Sequence, residues 1–149
     1  MSTGPASGRR QQYAPMALNS PLSNGGPITP TVLVVEDDPS LRMLCRVNLE
    51  LEHYRVLEAE TVDRAEQLVR REQIDVVLLD LHVGDRHGFE LLPLLRKEHP
   101  ESAVCLLSGT SETDPPLLEG VDGFIRKPFE LEDLIDTVER LVAAAPAKP

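Results

Sequence analysis

Residues 31–40, TVLVVEDDPS, decide the fold: a short run of valine and leucine leads straight into three acids and a proline. A continuous apolar run of this length is typical of a strand that is covered on both faces, here over residues 31–35. Asp38 and Pro39 then predict the start of a helix, because an aspartate oxygen caps free N–H groups and proline suits the first helical position. The stretch therefore predicts a buried strand that passes directly into a helix, with acids at the junction.

Strand and helix patterns alternate along the chain beyond this stretch. Further strands are predicted at residues 54–59, 74–79, 103–107 and 121–126, and further helices after Thr61 and over residues 89–96 and 130–143. Pro93 predicts a kink in the third helix. Five strands that alternate with helices predict an α/β fold of the flavodoxin-like type, a five-stranded parallel sheet with helices on both faces.

The predicted domain covers residues 31–145. Residues 1–30 hold five prolines and four glycines without hydrophobic periodicity, which predicts a flexible arm, because such a segment cannot bury enough apolar area to offset its ordering entropy. Residues 146–149 are predicted to form a short tail. No apolar run has the length of a membrane span or of the core of a secretory signal, so we expect a cytoplasmic protein without a membrane partner.

Charge and cysteine content exclude two classes of site. The net charge is −10, and residues 1–30 contain two arginines and no acid, so the predicted domain is strongly acidic. Direct binding to nucleic acid is therefore not expected, because the phosphate backbone would be repelled. Cys45 and Cys105 fall in helix and strand patterns without a second cysteine or a histidine at metal-binding spacing. We predict two reduced thiols in the core.

Polar residues follow four of the predicted strands at their carboxyl ends. They are Glu36, Asp37 and Asp38 after the first strand, Asp80 after the third, Ser108 after the fourth and Lys127 after the fifth. In a parallel sheet of this kind the ligand crevice lies beyond the carboxyl ends of the strands. Crowded carboxylates raise each other's pKa, and a hard cation such as Mg²⁺, or Mn²⁺ in its place, relieves the repulsion. The pattern predicts a metal site beside a nucleophilic aspartate that can form an acyl phosphate.

The three adjacent acids are assigned different roles. Asp38 directly precedes Pro39, so its side chain is best used as the helix cap. Asp37 is then the direct metal ligand, and Glu36 acts through a bound water. Asp38 as a direct ligand is the alternative.

Four segments together resemble the receiver domain of two-component response regulators. They are VVEDDP at residues 34–39, LLDL at 78–81, LSG at 107–109 and GFIRKPF at 123–129, in the family's order and near its spacing. The resemblance implies a phosphorylation-dependent signalling switch rather than a metabolic enzyme. Such a switch accepts a phosphoryl group on Asp80 from a histidine kinase or a histidine phosphotransfer protein of a phosphorelay, and it catalyses its own phosphoryl transfer and dephosphorylation.

The resemblance also implies the ligands of the metal. Asp37 and Asp80 bind Mg²⁺ directly, Glu36 supports them, and the main-chain carbonyl of His82 completes the protein ligands.

Ser108 and Lys127 are implied to bond the phosphoryl oxygens. Phe124 is implied to rotate inward as the hydroxyl of Ser108 moves, and the Lys127–Pro128 peptide is expected to be cis. Output is expected by docking on a downstream protein through the fourth helix, fifth strand and fifth helix. A homodimer through the same face is one arrangement that the resemblance allows.

Three features depart from the family pattern. Gly84 and His87 stand where many receivers have a proline and an aspartate, so we expect the loop beside Asp80 to be more mobile and less acidic. The interval from Ser108 to Lys127 is short by about a helical turn, and Pro115–Pro116 predict a short or irregular fourth helix. No effector domain follows in this chain, so we expect a stand-alone receiver that acts by docking, by phosphoryl relay or through its arm.

Other functions are weighed against the switch. A pseudo-receiver, with the fold but no phosphorylation, is the main alternative. An aspartyl-phosphate phosphohydrolase requires a second aspartate two residues after the nucleophile. This chain has His82 at that position, which disfavours such an enzyme. A dinucleotide-binding domain lacks its glycine-rich motif after the first strand. Residues 82–87, HVGDRH, crowd two histidines and an aspartate, but their spacing fits no transition-metal motif.

Overall fold

A computed structural model describes residues 29–109 and 120–144. The strands are β1 Thr31–Val35, β2 Arg55–Ala59, β3 Val76–Asp80, β4 His82–Val83, β5 Arg86–His87, β6 Ala103–Ser108 and β7 Gly123–Arg126. The helices are α1 Pro39–Leu51, α2 Val62–Arg71, α3 Leu92–Glu98 and α4 Leu131–Ala144, and a 3-10 helix, Gly88–Leu91, precedes α3.

Five of the strands form one parallel sheet in the order β2-β1-β3-β6-β7. The predicted α/β fold is confirmed. The chain leaves β1 for β2 on one side and returns to β3 on the other, so the strand order reverses between β1 and β3. Val35 pairs with Leu79 and Asp80 pairs with Leu107, which brings the ends of β1, β3 and β6 to nearly the same level. This edge is where a ligand crevice is expected.

The hydrophobic core lies in two layers, one on each face of the sheet. Alternate residues of each strand point to opposite faces, and the central strands carry apolar residues on both faces up to the polar residues at their ends. Leu33 and Val77 pack toward α2 and α3, while Val32 and Leu78 pack toward α1 and α4. Burial on both faces explains why the strands are continuous apolar runs.

The predicted helix starts are confirmed at both polar caps. The Asp38 carboxylate accepts hydrogen bonds from the main-chain N–H groups of Ser40 and Leu41, and Thr61 caps α2 in the same way. The predicted kink at Pro93 is wrong. Pro93 lies in the first turn of α3, where its missing N–H has no intrahelical partner to lose, and the 3-10 helix ends just before it.

A short antiparallel hairpin of β4 and β5 occupies the loop after Asp80, and the sequence did not predict it. Strands of two residues carry no measurable periodicity. Gly84 turns the chain at φ 64°, a conformation that favours glycine. Arg86 ties the hairpin to its surroundings through ion pairs with Asp63, Glu66 and Glu90. The mobility predicted for this loop remains a prediction.

Several predictions fall outside the described residues. They are the arm up to residue 28, the helix predicted around Pro115–Pro116 between β6 and β7, and the tail. The domain limits at 31 and 145 therefore remain predictions. None of the helices within the described residues has the length and apolar character needed to cross a membrane.

Gly88→Ala is expected to destabilise the fold. A Cβ at this position would lie 2.0 Å from the main-chain oxygen of Asp80, so the loop or β3 would have to move. We expect a loss of about 1–3 kcal/mol or more in the free energy of unfolding, measured by urea denaturation. Gly123→Ala is the control, because the nearest heavy atom there is at an ordinary 3.5 Å. Equal stability of the two variants would contradict the argument.

Both cysteines are expected to be unreactive in the native protein. Cys45 and Cys105 are buried, and burial raises the pKa of each thiol to about 12. At pH 8 only about one thiol in ten thousand is then ionised, and the thiolate is the reactive form. A disulfide reagent should label no thiol in native buffer and two per chain in guanidinium chloride. Rapid labelling of the native protein would contradict this expectation.

Candidate functional site

Three carboxylates meet where β1 and β3 end. Glu36 and Asp37 directly follow β1, and Asp80 is the last residue of β3. One oxygen of each lies within 4.8 Å of the others. Within residues 29–109 and 120–144 this is the one group of three or more metal-ligating side chains that lie close enough to share an ion. We call it the carboxylate cluster.

Glu36 is the buried member of the cluster. Its side chain is 1% exposed, Oε1 lies 2.8 Å from the Nζ atom of Lys127, and Oε2 accepts a hydrogen bond from the main-chain N–H of Asp38 at 3.1 Å. Burial raises the pKa of Glu36 to about 7, although the bonds from Lys127 and Asp38 act to lower it. A proton at this carboxyl group is therefore finely balanced near neutral pH.

Lys127 supplies the positive charge. Its ammonium lies between two carboxylates, 2.8 Å from Glu36 Oε1 and 3.2 Å from Asp80 Oδ2. Burial acts to lower the pKa of Lys127, but the two acids outweigh that effect and the pKa is raised. The main-chain N–H of Lys127 donates to the carbonyl of Ser108 at 2.7 Å, and the Lys127–Pro128 peptide is cis, as the family resemblance implied.

Asp37 is the exposed member of the cluster. One of its oxygens accepts a hydrogen bond from the main-chain N–H of Gly84 at 2.9 Å, across the hairpin loop. This bond lowers the pKa of Asp37 and keeps it a carboxylate. The sequence missed the contact, because a main-chain donor leaves no signature in residue type.

Asp80 is buried at the carboxyl end of β3, 8% exposed. Oδ2 faces Lys127, and Oδ1 lies 3.4 Å from the main-chain nitrogen of His82. Behind it, Gly88 approaches so closely that its N–H bonds the carbonyl of Leu81 at 2.7 Å. The carboxylate of Asp80 therefore faces Lys127 from a tightly packed main chain.

Two other predicted site residues lie on the neighbouring strands. Ser108 is buried at the carboxyl end of β6, which pairs with β3, and Phe124 is partly buried on β7. The Phe124 ring packs against the core layer that faces α2 and α3, and the guanidinium of Arg126 lies 5.8 Å from its centroid. The structure thus brings both residues to the strands that border the cluster, while their motion stays a prediction.

The paired histidines of the hairpin do not form a favourable transition-metal site. The rings of His82 and His87 meet edge to face with centroids 5.4 Å apart. Nδ1 of His87 accepts a hydrogen bond from the N–H of Phe89. A metal on the other ring nitrogen, Nε2, would require a proton on Nδ1, which would then face that N–H. His87 therefore serves as the cap of the 3-10 helix.

Arg42 is a second residue that sequence reasoning missed. From α1 its guanidinium reaches back to the main-chain carbonyl of Glu36 at 2.8 Å and to the Glu58 carboxylate on β2 at 3.2 Å. The sequence did contain a signal for this contact, because an arginine follows the acids by one turn at the start of the predicted helix.

Comparisons with known proteins identify a family for this chain. Residues 32–139 match the family model of the response regulator receiver domain. The probable transcriptional regulatory protein TcrX of Mycobacterium tuberculosis is 33% identical over 116 residues, which cover 76% of this chain and 49% of TcrX. The heme response regulator HssR of Staphylococcus saprophyticus is 25% identical over 114 residues, 75% of this chain and 51% of the relative. The chain thus spans about half the length of these relatives.

Solved receiver structures share the fold. The non-phosphorylated receiver domain of HemR from Leptospira biflexa superposes with a TM-score of 0.72 at 32% identity, over 81% of this chain and 98% of that one. A response regulator from Thermotoga maritima gives a TM-score of 0.69 at 29% identity, over 78% of this chain and all of the other.

The raised pKa of Glu36 predicts a stability change with pH in a chelating buffer. Between the ordinary value of 4.5 and about 7, the folded state holds a proton that the unfolded state has released. The free energy of unfolding should therefore fall as pH rises through this window, by at most about 1.4 kcal/mol per pH unit.

Glu36→Gln should remove this part of the pH dependence, as measured by urea denaturation at a series of pH values. Glu101→Gln, in an exposed turn, controls for the loss of one carboxyl group. An identical slope for Glu36→Gln and the wild type would contradict the assignment.

Proposed function

Because the chain belongs to the response regulator receiver domain family, we propose that it is a phosphorylation-dependent signalling switch whose phosphoacceptor is Asp80. One observation carries the proposal: the ammonium of Lys127 lies against Asp80 at 3.2 Å, inside a cluster completed by Glu36 and Asp37. A nucleophilic carboxylate, a lysine and two further acids from three distant segments make a site for phosphoryl transfer.

The carboxylate cluster fits a hard divalent cation. All its donors are carboxylate oxygens, which Mg²⁺ prefers and which Mn²⁺ also accepts. Asp37 and Asp80 would hold the ion directly, with Glu36 acting through a water and the main-chain carbonyl of His82 as a further ligand. When bound, the ion supplies positive charge against the carboxylates and the phosphoryl oxygens.

Asp80 acts as the nucleophile. An oxygen of its carboxylate attacks the phosphorus of a phosphohistidine, a new O–P bond forms, and the P–N bond to the imidazole breaks. The electron pair of that bond stays on the imidazole, which leaves and takes up a proton. Lys127 already lies beside Asp80 and meets the negative charge on the transferred group, and Ser108 offers a hydroxyl from the next strand.

The switch follows from a change of partners. Before phosphorylation, Lys127 is divided between Glu36 and Asp80. The phosphoryl group adds negative charge and acceptor oxygens at Asp80. Lys127 and Ser108 then gain partners that only the phosphorylated state offers, and the inward rotation of Phe124 couples this change to the outer surface. A differential of about 1.4 kcal/mol shifts the ratio of the two states tenfold.

The partners follow from this chemistry. A histidine kinase or a histidine phosphotransfer protein supplies the phosphoryl group, and a downstream protein receives the signal by docking. A homodimer through the predicted output face remains a prediction, because the helix predicted around Pro115–Pro116, which is part of that face, lies outside the described residues. A pseudo-receiver without phosphorylation is less favoured, since the cluster and Lys127 are both in place.

Labelling with a small phosphoryl donor tests the proposal. Incubation with acetyl phosphate and Mg²⁺ should produce a slower band on a phosphate-affinity gel, and EDTA should abolish it. Asp80→Asn should remove the band, because an amide oxygen does not form the acyl phosphate. Asp85→Asn is the matched control, an exposed aspartate in the same loop.

Labelling of Asp80→Asn, or loss of labelling in Asp85→Asn, would place the acceptor elsewhere. Failure of the wild type to label under any Mg²⁺ concentration would select the pseudo-receiver.

A further inference from the structure

The metal ligand with the least packing around it is Asp37. Its side chain is exposed, so the core does not fix its direction. Two other restraints remain: the hydrogen bond from Gly84, and the orientation of the peptide unit between Glu36 and Asp37. A change in ψ of Glu36 rotates that peptide unit and moves the Cα and Cβ atoms of Asp37, so whatever holds the carbonyl of Glu36 also aims the carboxylate of Asp37.

Arg42 holds this peptide unit. Its Nη1 donates to the carbonyl oxygen of Glu36 at 2.8 Å, the length of a charge-assisted hydrogen bond. On the other side of the same residue, the N–H of Glu36 donates to Ala59 of β2 at 3.0 Å. Glu36 is thus fixed at its amide by the sheet and at its carbonyl by the helix.

The guanidinium is itself held in place. Its Nε lies 3.2 Å from Glu58 Oε1, and the side chain of Arg42 is 17% exposed. The other oxygen of Glu58 lies 2.9 Å from Arg46, one turn along α1. The partly buried Glu58 on β2 therefore pairs with two arginines of α1. Of these two, Arg42 is the one that bonds the β1–α1 loop.

We propose that Arg42 is a positioning residue for the phosphoryl-transfer site, which aims Asp37 at the metal by holding the carbonyl of Glu36. This inference rests on the proposed function, because it concerns the affinity of the same site for Mg²⁺. Arg42 reaches no reacting atom and acts through the main chain. Arginine suits the role because it stays protonated at every relevant pH and reaches two acceptors at once.

The test compares two arginines of one helix. Arg42→Met removes the bonds to Glu36 and Glu58, while Arg46→Met removes ion pairs with Glu58 and Glu50 and leaves the carbonyl of Glu36 held. Mg²⁺ affinity is measured by isothermal titration calorimetry on the folded full chain. The Mg²⁺ concentration for half-maximal labelling by acetyl phosphate is measured in parallel, with thermal unfolding as the record of stability.

Arg42→Met should weaken Mg²⁺ binding about tenfold, the loss typical of residues that orient a metal ligand. Labelling at saturating Mg²⁺ should be retained. Arg46→Met should lower the melting temperature but keep the Mg²⁺ affinity within about twofold of the wild type. Arg42→Lys, which can still bond the carbonyl once, should fall between the two.

An Arg42→Met protein with wild-type Mg²⁺ affinity would overturn the inference, and so would an equal loss in Arg46→Met. If Arg42→Met does not fold, Arg42→Lys decides: weakened Mg²⁺ binding supports the inference and wild-type binding overturns it. If the wild type labels normally and the arginine variants bind Mg²⁺ as tightly as it does, the positioning role of Arg42 is refuted and the proposed function is not. A wild-type protein that neither binds Mg²⁺ nor labels refutes the proposed function, and this inference with it.

Discussion

Like charges at the carboxyl edge of the sheet constrain the rest of the molecule. Glu36 and Asp80 are both buried, and a buried carboxylate without a partner is strongly unfavourable. The ammonium of Lys127, 2.8 Å from one and 3.2 Å from the other, offsets that cost. The three residues come from three strands, so the register of β1, β3 and β7 must be correct for the charges to meet. The strand register that stabilises the fold is therefore also the register that assembles the site.

Rigidity at this edge comes from the layers below it. The central strands are apolar on both faces and are covered by α1 and α4 on one side and by α2 and α3 on the other. Such a core resists small displacements, because protein interiors are packed nearly as densely as organic crystals. The polar groups at the strand ends are therefore held by a scaffold that does not take part in the chemistry.

Main-chain groups complete the site. The N–H of Gly84 bonds Asp37, the carbonyl of Glu36 receives Arg42, and Gly88 lies so close to Asp80 that a side chain there has no room. These contacts are made by residues that follow the strands, in the loops and at the starts of the next helices, rather than by the strands themselves. Such connecting segments are where functional groups are usually carried. The hairpin after Asp80, tied down by Arg86, carries Gly84 and His87, the two residues at which the sequence departs from the expected family pattern.

The sequence by itself determined the five strands, the helix caps at Asp38 and Thr61, and the residues delivered to one edge of the sheet. It could do so because periodicity, capping and strand-end position are local properties. Only the tertiary structure decided that Lys127 is divided between Glu36 and Asp80, that Pro93 lies in the first turn of a helix rather than in its interior, and that Gly84 and Arg42 hold the acidic loop. Those contacts join residues far apart in the chain or use main-chain atoms that every residue shares, so no local pattern encodes them.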